Sequence, residues 1–414
     1  MKKIIVIGGG AGGLMAAVSA AKHGGEVLLL EKNKRLGKKL LITGKGRCNV
    51  TNIAPMQEFI KNIPGNGKFL YSAFSKYFNW DIRSFLEEEN VPLKEERGGR
   101  VFPVSDKAVD VVNAFERVLH RLAVQIKYNC DVKAIEVANK QVVGVITADG
   151  TVYEADAVIL ATGGSSFPGT GSTGDGYKMA EQIGHTIVPL HPALVPLESA
   201  DDWVKELQGL SLRNVNVTVL VDNKPKAEMF GEMLFTHFGV SGPIILSLSR
   251  EIVLALKAKK QVDIAINLKP ALSAEQLDKR LQRDLAKYSR KQIKNSLGDL
   301  LPHKLIEPML DLAFIDGEKF VNQITKAERE RFVELLQNLV IPISKARPLS
   351  EAIVTGGGIS LKEINPKTME SKIVKNLYCV GEVTDIDAFT GGYNLQAAFS
   401  MGYVAGTEAV KDNA

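Results

Sequence analysis

Three glycines near the amino terminus have the spacing of a turn that binds a dinucleotide. Gly8, Gly10 and Gly13 form the pattern G-x-G-x-x-G. The apolar run 4–7 precedes them directly, as expected for a strand that leads into the turn. The first glycine permits a tight turn, the second lets the backbone approach a diphosphate, and the third lets the next helix pack closely. Free amide groups and the positive dipole end of that helix would bind the phosphates.

An acidic residue follows at the position where the sugar of such a ligand would be bound. The pattern after the glycines predicts a helix over 12–23 and a second strand over 26–30, which ends at Glu31. A carboxylate about 20 residues after the glycine turn accepts the ribose hydroxyl groups of a dinucleotide. It favours FAD or NAD over NADP, because it would repel a 2′-phosphate.

A second glycine-rich segment lies near the carboxyl terminus. The apolar run 377–380 leads into Gly381 and Glu382, and residues 390–394 (Thr-Gly-Gly-Tyr-Asn) open another helical pattern. Two such segments at opposite ends of one chain predict a single extended dinucleotide held by both, and FAD is the best candidate. No second G-x-G-x-x-G in a strand context is available for NAD(P)H, so NAD(P)H is expected only as a transient reductant at the flavin.

Composition limits the class of protein. A chain of 414 residues is long enough for two or three domains. It has no run of about 18 apolar residues, so no membrane span is expected. Cys48, Cys130 and Cys379 are far apart and form no C-x-x-C, which favours a reducing cytoplasm over a disulfide scaffold. The six histidines show no metal-ligand spacing, so no metal is expected. Nothing in the sequence specifies an oligomeric state.

Two basic runs stand out against a net charge of +5. Residues 32–47 contain seven lysines or arginines and no acid. We interpret this run as a positively charged segment that attracts the phosphates of the cofactor. Residues 279–294 contain seven basic residues and one acid on a helical pattern. This second run is either a solvated helix face or a surface for RNA, with Tyr288 available for stacking on a base.

The order of predicted elements indicates one domain interrupted by an insertion. Helices are predicted over 57–90 and 107–123, strands over 124–129 and 132–137, a hairpin over 142–147 and 152–156, and a buried strand over 157–160. The pattern changes after about residue 191, where strands over 215–221 and 262–267 precede a helical stretch over 273–338 that is poor in glycine and rich in charge. We therefore predict an α/β fold with a Rossmann-like FAD-binding domain over 1–190 and 346–414, an inserted β-rich domain over 191–270 and an inserted helical domain over 271–345.

Three segments carry a more specific signature. They are Gly46-Arg47-Cys48-Asn49-Val50-Thr51-Asn52, the segment 234–243 (Leu-Phe-Thr-His-Phe-Gly-Val-Ser-Gly-Pro) and Gly391-Gly392-Tyr393-Asn394-Leu395-Gln396. With the glycine turn and the A-T-G-G of 161–164, their order resembles the BaiN/RdsA-like family of FAD-dependent oxidoreductases over essentially the whole chain. Lys45 stands where a glycine is commoner in that family.

The resemblance implies non-covalently bound FAD and a redox reaction on carbon. Activities linked to the family are reduction of a steroid-type carbon–carbon double bond and reduction of uracil in ribosomal RNA to dihydrouridine. Both add a hydride to an activated double bond, so the substrate is either a small molecule or an RNA base. A third alternative is a flavoprotein without enzymatic activity that serves as a redox sensor or an assembly factor.

The resemblance also implies a set of residues that line the cofactor. Glycine turns and the helices behind them would hold the diphosphate and the flavin, while Glu31, two lysines and a backbone position would hold the adenosine. The full set is Gly8, Gly10, Ala11, Gly12, Gly13, Glu31, Lys32, Lys38, Gly46, Arg47, Cys48, Asn49, Val132, Thr162, Gly163, Gly164, Gly381, Glu382, Asp387, Gly391, Gly392, Tyr393, Asn394 and Leu395.

Three of the motif residues are candidates for the catalytic acid. A double-bond reductase needs a hydride from the flavin and a proton from an acid. Cys48 follows Arg47, which would favour its thiolate, or it is a small packing residue beside the flavin. His237 is either such an acid or a structural histidine, and Tyr393 either donates a proton or packs on the ring.

Overall fold

The computed structural model describes residues 1–411, which divide into two compact units. The first contains Met1–Pro192 and the described residues from Leu349 onward, and the second contains Ala193–Pro348. The last three residues of the predicted FAD-binding domain, 412–414, lie outside the described residues. Within residues 1–411, no helix is long and apolar enough to cross a membrane.

The secondary structure follows the chain through the first unit, the second unit and the first unit again. The amino-terminal part of the first unit contains β1 (Lys3–Ile7), α1 (Ala11–Lys22), β2 (Glu26–Leu30), β3 (Thr51–Asn52), α2 (Met56–Lys61), α3 (Tyr71–Lys76), α4 (Asn79–Glu88), β4 (Leu93–Glu96), β5 (Arg100–Pro103), α5 (Ala108–Arg121), β6 (Gln125–Lys127), β7 (Val132–Ala138), β8 (Gln141–Thr147), β9 (Val152–Glu154), β10 (Ala157–Leu160), α6 (Asp175–Gln182) and β11 (Ile187–Ala193). The second unit contains β12 (Leu197–Glu198), α7 (Asp202–Glu206), β13 (Ser211–Val221), β14 (Lys224–Thr236), β15 (Gly239–Ser241), α8 (Pro243–Lys257), β16 (Val262–Asn267), α9 (Ala274–Lys287), α10 (His303–Leu312), α11 (Lys326–Gln337), β17 (Leu339–Pro342) and β18 (Lys345–Ala346). The chain then adds β19 (Val354–Ile359), β20 (Leu377–Cys379) and α12 (Tyr393–Ala409).

The main sheet of the first unit is parallel, with the strand order β20–β10–β1–β2–β6. Its central strands are continuous apolar runs because both faces of the sheet are covered. One face packs against α1, α5 and α12, and the other packs against β7, β8 and α6. At the carboxyl end of β1, Ile7 pairs with Leu30 of β2 and with Leu160 of β10. The glycine turn after β1 therefore lies beside the ends of both neighbouring strands, where open α/β sheets bind their ligands.

The helix that follows this turn packs on the last helix of the chain. Ser19 of α1 donates a hydrogen bond of 2.8 Å to the carbonyl of Tyr403 on α12. A Cβ atom on Gly402 would overlap the carbonyl oxygen of Gly12, so glycine at this contact lets the two backbones approach closely. The amino-terminal and carboxyl-terminal segments of the unit are thereby joined in one core.

Smaller sheets complete the first unit. They have the orders β3–β5–β4, β7–β8–β9 and β11–β19. The predicted hairpin is confirmed, since β8 and β9 pair in antiparallel register with Gly144 opposite Glu154. The amphipathic helix predicted over 107–123 is α5, whose apolar face is buried. The region 57–90 is interrupted rather than continuous, because α2, α3 and α4 are separated by non-α segments.

The second unit is built on an antiparallel sheet with the order β17–β16–β13–β14–β15–β12–β18. The predicted capping box is confirmed, since Ser273 and Gln276 exchange hydrogen bonds at the start of α9. Instead of a helix over all of 273–338, α9, α10 and α11 are separated by segments that contain Gly298, Pro302 and Gly317, which are poor helix formers.

The predicted boundary near residue 270 does not separate two cores. Apolar side chains of the sheet, such as Val217 and Ile264, belong to the same buried cluster as Leu281 and Phe332 of the helices. The β-rich and helical parts share one core because the apolar face of each element is covered by the other part.

Candidate cofactor and active site

The glycine turn after β1 combines tight packing with an open position. A Cβ atom on Gly8 would lie 2.7 Å from the Ala161 carbonyl oxygen, and one on Gly13 would overlap the Gly8 carbonyl oxygen. A Cβ atom on Gly10 would have no heavy atom of the described protein within 4 Å. Gly8 and Gly13 are therefore required by the fold itself, whereas Gly10 faces free space. The first amide groups of α1, including that of Ala11, have no acceptor within the helix.

The Glu31 carboxylate lies at the end of β2 and is held in place by hydrogen bonds from neighbouring amide groups. It is buried, and its Oε2 atom accepts a hydrogen bond of 2.7 Å from the amide of Gly9. Its Oε1 atom accepts hydrogen bonds from the backbone amide of Asn33 at 2.7 Å and from the side-chain amide at 2.6 Å. The predicted ribose-binding acid is thus held next to the glycine turn in one orientation.

The two lysines predicted on the adenosine side differ in their surroundings. Lys32 pairs with Asp175 at 2.7 Å, so its charge is compensated within the protein. Lys38 is exposed and donates to Asn33 Oδ1 at 3.3 Å. The carboxylate of Asp175 thus removes part of the positive charge that the basic run 32–47 was predicted to present to the phosphates.

A polar network at the ends of the parallel strands was missed from the sequence. Lys39 Nζ donates to Glu382 Oε2 at 2.7 Å and to Glu382 Oε1 at 3.0 Å. The same Oε1 atom accepts from the Ser166 hydroxyl at 2.9 Å and from the Thr355 amide at 2.8 Å. Four distant segments therefore meet at one carboxylate. The available signals were the basic run that contains Lys39 and the glycines that follow Thr355.

The first and last signature motifs contact each other directly. The side-chain amide of Asn49 is oriented so that its nitrogen donates to the carbonyl groups of Thr51 and Val101. Its Oδ1 atom then accepts a hydrogen bond of 2.9 Å from the Gly392 amide. Asn52 Nδ2 donates to the Gly391 carbonyl at 3.0 Å. In the sequence, Thr51 lies between the two asparagines. Its strand, β3, lies against the start of α12. The two motifs therefore form one structural element, although they stand at opposite ends of the sequence.

The expectation that Arg47 activates Cys48 as a thiolate is wrong. Burial raises the pKa of the Cys48 thiol to about 12, and a side-chain hydrogen bond with Thr43 offsets this only in part. The Arg47 guanidinium is bonded to Glu96 and to Asp106, the latter at 2.7 Å. It is therefore engaged by these carboxylates rather than available to a thiolate or a phosphate. The buried Cys48 side chain packs in the core of the first unit.

The other two candidate acids lie in different units. Tyr393 opens α12 in the first unit, where its ring packs edge-on against Phe59 with 4.6 Å between centroids. Burial raises the pKa of its phenol, so the hydroxyl is protonated at neutral pH. His237 belongs to the second unit and is exposed, with its ring edge-on to Phe238. The catalytic roles of both residues stay predictions.

The remaining predicted residues lie at strand ends, in loops and turns, or at the start of α12. Val132 is the buried first residue of β7, and Asp387 is buried in the loop before α12. Asn394 accepts from the Ala388 amide at 2.9 Å and donates to its carbonyl at 2.9 Å, so its side chain shapes that loop. Gly46, Gly163, Gly164 and Leu395 also belong to the first unit, as do Gly12, Thr162 and Gly381.

These features fit a dinucleotide. The turn offers free space at Gly10, unpaired helix amides and an adjacent fixed carboxylate at Glu31, which match the diphosphate and the ribose. Within residues 1–411, no group of three or more His, Cys, Asp or Glu side chains is arranged so that it could hold a metal ion. The parallel sheet and its glycine turn therefore define a Rossmann-type FAD-binding domain.

The chain belongs to the HI0933-like protein family, whose Rossmann domain model matches residues 2–408. This is a family of FAD-dependent oxidoreductases, and the resemblance to BaiN/RdsA-like proteins and the predicted α/β class are both confirmed.

Two curated relatives match almost end to end. The chain is 33% identical over 386 residues to a 3-dehydro-bile acid Δ(4,6)-reductase of Clostridium scindens, covering 93% of each chain. It is 32% identical over 388 residues to a ribosomal RNA dihydrouridine synthase of Haemophilus influenzae, covering 92% of each chain.

Solved structures are similar in fold at low sequence identity. A quinol-fumarate reductase with menaquinol molecules matches with a TM-score of 0.51 and 17% identity over 99% of this chain and 71% of that chain. The Sdh1 complex of Mycobacterium smegmatis in its apo form matches with a TM-score of 0.50 and 17% identity over 99% of this chain and 68% of that chain. At these identities the comparison concerns the fold alone.

Proposed function

We propose that the protein is an FAD-dependent reductase that adds a hydride to an activated carbon–carbon double bond. The observation that carries the proposal is the open Gly10 position beside the fixed Glu31 carboxylate, in a chain that two relatives match over 92–93% of its length. One of those relatives is named for reduction in a bile acid, and the product of the other, dihydrouridine, is uridine with a saturated ring double bond. The same chemistry would produce both.

The residues of the first unit would hold FAD along the ends of the parallel strands. Amides of Gly10–Gly13 would bind the diphosphate, Glu31 the ribose of adenosine, and the loop of Glu382 the ribityl side. Bound and reduced, FAD supplies the hydride. The amide groups at the start of α12 would face the flavin and favour the negative charge of its reduced form.

We propose Tyr393 as the proton donor. It stands at the first helical position of α12, and its burial keeps the hydroxyl protonated at neutral pH. The positive end of the helix stabilises the phenolate left after the proton is delivered to the substrate carbon. Burial disfavours the charged form of Cys48 too, and this thiol lies in the segment before β3 rather than at the amino terminus of a helix, so it lacks that stabilisation.

We propose NAD(P)H as the reductant, docking transiently where the substrate later binds. A separate nicotinamide site is not required, since the two ligands can alternate at the same face of the cofactor. This agrees with the single G-x-G-x-x-G in a strand context.

An RNA base is the second candidate substrate, and the basic run 279–294 favours it. The run lies on the exposed side of α9 and the segment after it. Part of its charge is compensated, because Lys287 pairs with Asp299 at 2.9 Å. The Tyr288 hydroxyl also donates to Asp299, and Lys287 and Lys291 lie over its ring at 4.8 and 4.7 Å, so this ring is less accessible to a base than the sequence predicted.

The test is a visible absorbance spectrum of the purified protein, recorded anaerobically before and after addition of NADPH or NADH. A flavin spectrum that bleaches, and then recovers on addition of a steroid enone or of a uridine-containing RNA, would support the reductase and identify the substrate class. A flavin that bleaches but is reoxidised by neither would favour the redox-sensor alternative. Protein that cannot be loaded with FAD would overturn the proposal.

A further inference from the structure

The start of α12 is not capped by a side chain of its own. Its N-cap is Gly392, and no side-chain capping hydrogen bond is present. The turn is held instead from strand β3 and the segment before it, through the Asn49 and Asn52 contacts described above. The Cα of Gly392 lies so close to Thr51 that a Cβ atom would overlap the Thr51 carbonyl oxygen. The position of this helix end is therefore decided by residues from the other end of the chain.

A buried chain of hydrogen bonds continues from β3 into the first turns of α12. The Thr51 hydroxyl donates to Gln396 Oε1 at 2.6 Å, and Gln396 Nε2 donates to the Ser400 hydroxyl at 2.9 Å. The Ser400 hydroxyl donates in turn to the Tyr77 carbonyl at 2.7 Å. The side chains of Thr51, Gln396 and Ser400 are fully buried, so water cannot replace a lost partner.

This chain resists movement of the helix along its axis. Each link is a neutral hydrogen bond with a defined donor and acceptor, and a buried polar group left without its partner destabilises the folded state. A shift of α12 away from β3 would break the Thr51–Gln396 link and leave both side chains unpaired. The first turn of α12 is therefore held at a fixed position along the helix axis relative to β3.

We infer that Thr51 and Gln396 are positioning residues that set the reduction potential of the bound FAD by fixing the amino terminus of α12. The inference rests on the proposed function, in which that helix end faces the flavin. The reduced cofactor carries more negative charge than the oxidised one, and the positive end of a helix stabilises negative charge only within about one turn. A helix end that can withdraw therefore favours the reduced form less.

The test is the midpoint potential of FAD bound to the full-length protein, measured by anaerobic reduction against a reference dye. For T51V and Q396L we expect roughly a tenfold loss in the preference for reduced over oxidised FAD. For a two-electron couple this is a shift of about 30 mV to more negative potential. T51S keeps the hydroxyl group and is the matched control, expected to retain the wild-type potential.

The readout separates positioning from general stability. Variants that load FAD and melt at a lower temperature, but keep the wild-type potential, would overturn the inference. If T51V and Q396L do not accumulate as folded protein, S400A interrupts the same chain one link further from β3, and an unchanged potential in S400A would overturn it equally. Wild-type protein that binds no FAD would contradict the proposed function, which is a different outcome from FAD bound at an unchanged potential.

Discussion

The ammonium group of Lys39 lies 2.7 Å from the Glu382 carboxylate, although the two residues are 343 positions apart in the chain. The pair joins the basic segment after β2 to the loop after β20, and Ser166 and Thr355 complete the shell around the carboxylate. Both charged side chains are about one-fifth exposed, so solvent screens the pair only partly. This arrangement fixes the loop that is proposed to approach the ribityl part of FAD.

Replacing Lys39 with methionine is expected to loosen this loop. The Glu382 carboxylate would lose its only charged donor among the contacts described for residues 1–411, while the other two donors stay. We expect a loss of about 1–2 kcal/mol in the free energy of unfolding, since hydrogen bonds to charged groups contribute on this scale. Faster release of FAD should accompany it, measured by flavin fluorescence after dilution.

Lys34→Met is the matched control for that experiment. Lys34 belongs to the same basic run, is exposed, and is not among the residues predicted to hold the cofactor. Its replacement removes the same charge without touching Glu382 and should leave both quantities nearly unchanged. Equal effects in the two variants would mean that net charge, not the Lys39–Glu382 pair, controls retention of FAD.

Glutamate at position 10 is expected to abolish retention of FAD while the protein stays folded. A Cβ atom at Gly10 would have no heavy atom of the described protein within 4 Å, and the backbone there has a φ of −81°, which any residue adopts, so we expect the fold to tolerate the substitution. The added carboxylate would occupy the space and repel the charge of a diphosphate. The measurement is the ratio of flavin to protein absorbance after purification, together with circular dichroism.

Gly13→Ala serves as the contrast to that variant. Its Cβ atom would overlap the carbonyl oxygen of Gly8, so the strand, turn and helix themselves must shift. We expect a loss of about 1–3 kcal/mol in stability from this overpacking. A G10E protein with normal FAD content would contradict the assignment of the phosphate site.

Cys48 is expected to be unreactive in the folded protein at neutral pH. Burial raises the pKa of its thiol to about 12, from an ordinary value of 9.0, so almost no thiolate is present. Iodoacetamide should label Cys48 only after denaturation, as shown by peptide mass spectrometry. The comparison within the same protein is Cys130, which is half-buried rather than buried and is expected to be labelled faster than Cys48.

The pH dependence of this site has a defined sign. The folded state keeps the Cys48 proton between about pH 9 and pH 12, whereas the unfolded chain releases it. Its contribution to stability is therefore complete below pH 9 and decreases as the pH rises. Replacement of Cys48 by alanine should reduce this part of the loss in the free energy of unfolding at alkaline pH. Rapid labelling of Cys48 in the native protein at pH 7 would contradict the burial of this thiol.

Tyr393→Phe is expected to lower turnover without lowering FAD content. The variant keeps the ring that packs against Phe59 and removes only the hydroxyl group. General acid catalysis contributes about 10²–10⁴-fold, so a decrease of at least about 100-fold in the substrate-dependent reoxidation of the reduced flavin is expected. An unchanged rate would exclude Tyr393 as the proton donor, and His237→Gln would then test the remaining candidate.

Local sequence patterns were sufficient for the elements whose signals lie within a few residues. The strand, glycine turn, helix and second strand of 3–30 follow from the glycine spacing and the apolar runs. The hairpin around Asp149 and the amphipathic helix α5 follow from turn chemistry and periodicity. These features depend on neighbouring residues, so the sequence determined them, together with the family and the class of cofactor.

Only the tertiary structure decided which distant residues meet. The Lys39–Glu382 pair and the Thr51–Gln396 link each join segments more than 300 residues apart, and no local pattern specifies such a pairing. The same limit explains Cys48, for which the sequence left open a thiolate favoured by Arg47 or a small packing residue. Burial in the core disfavours the thiolate. Desolvation depends on every element that packs around a group, and that packing exists only when the whole chain has folded.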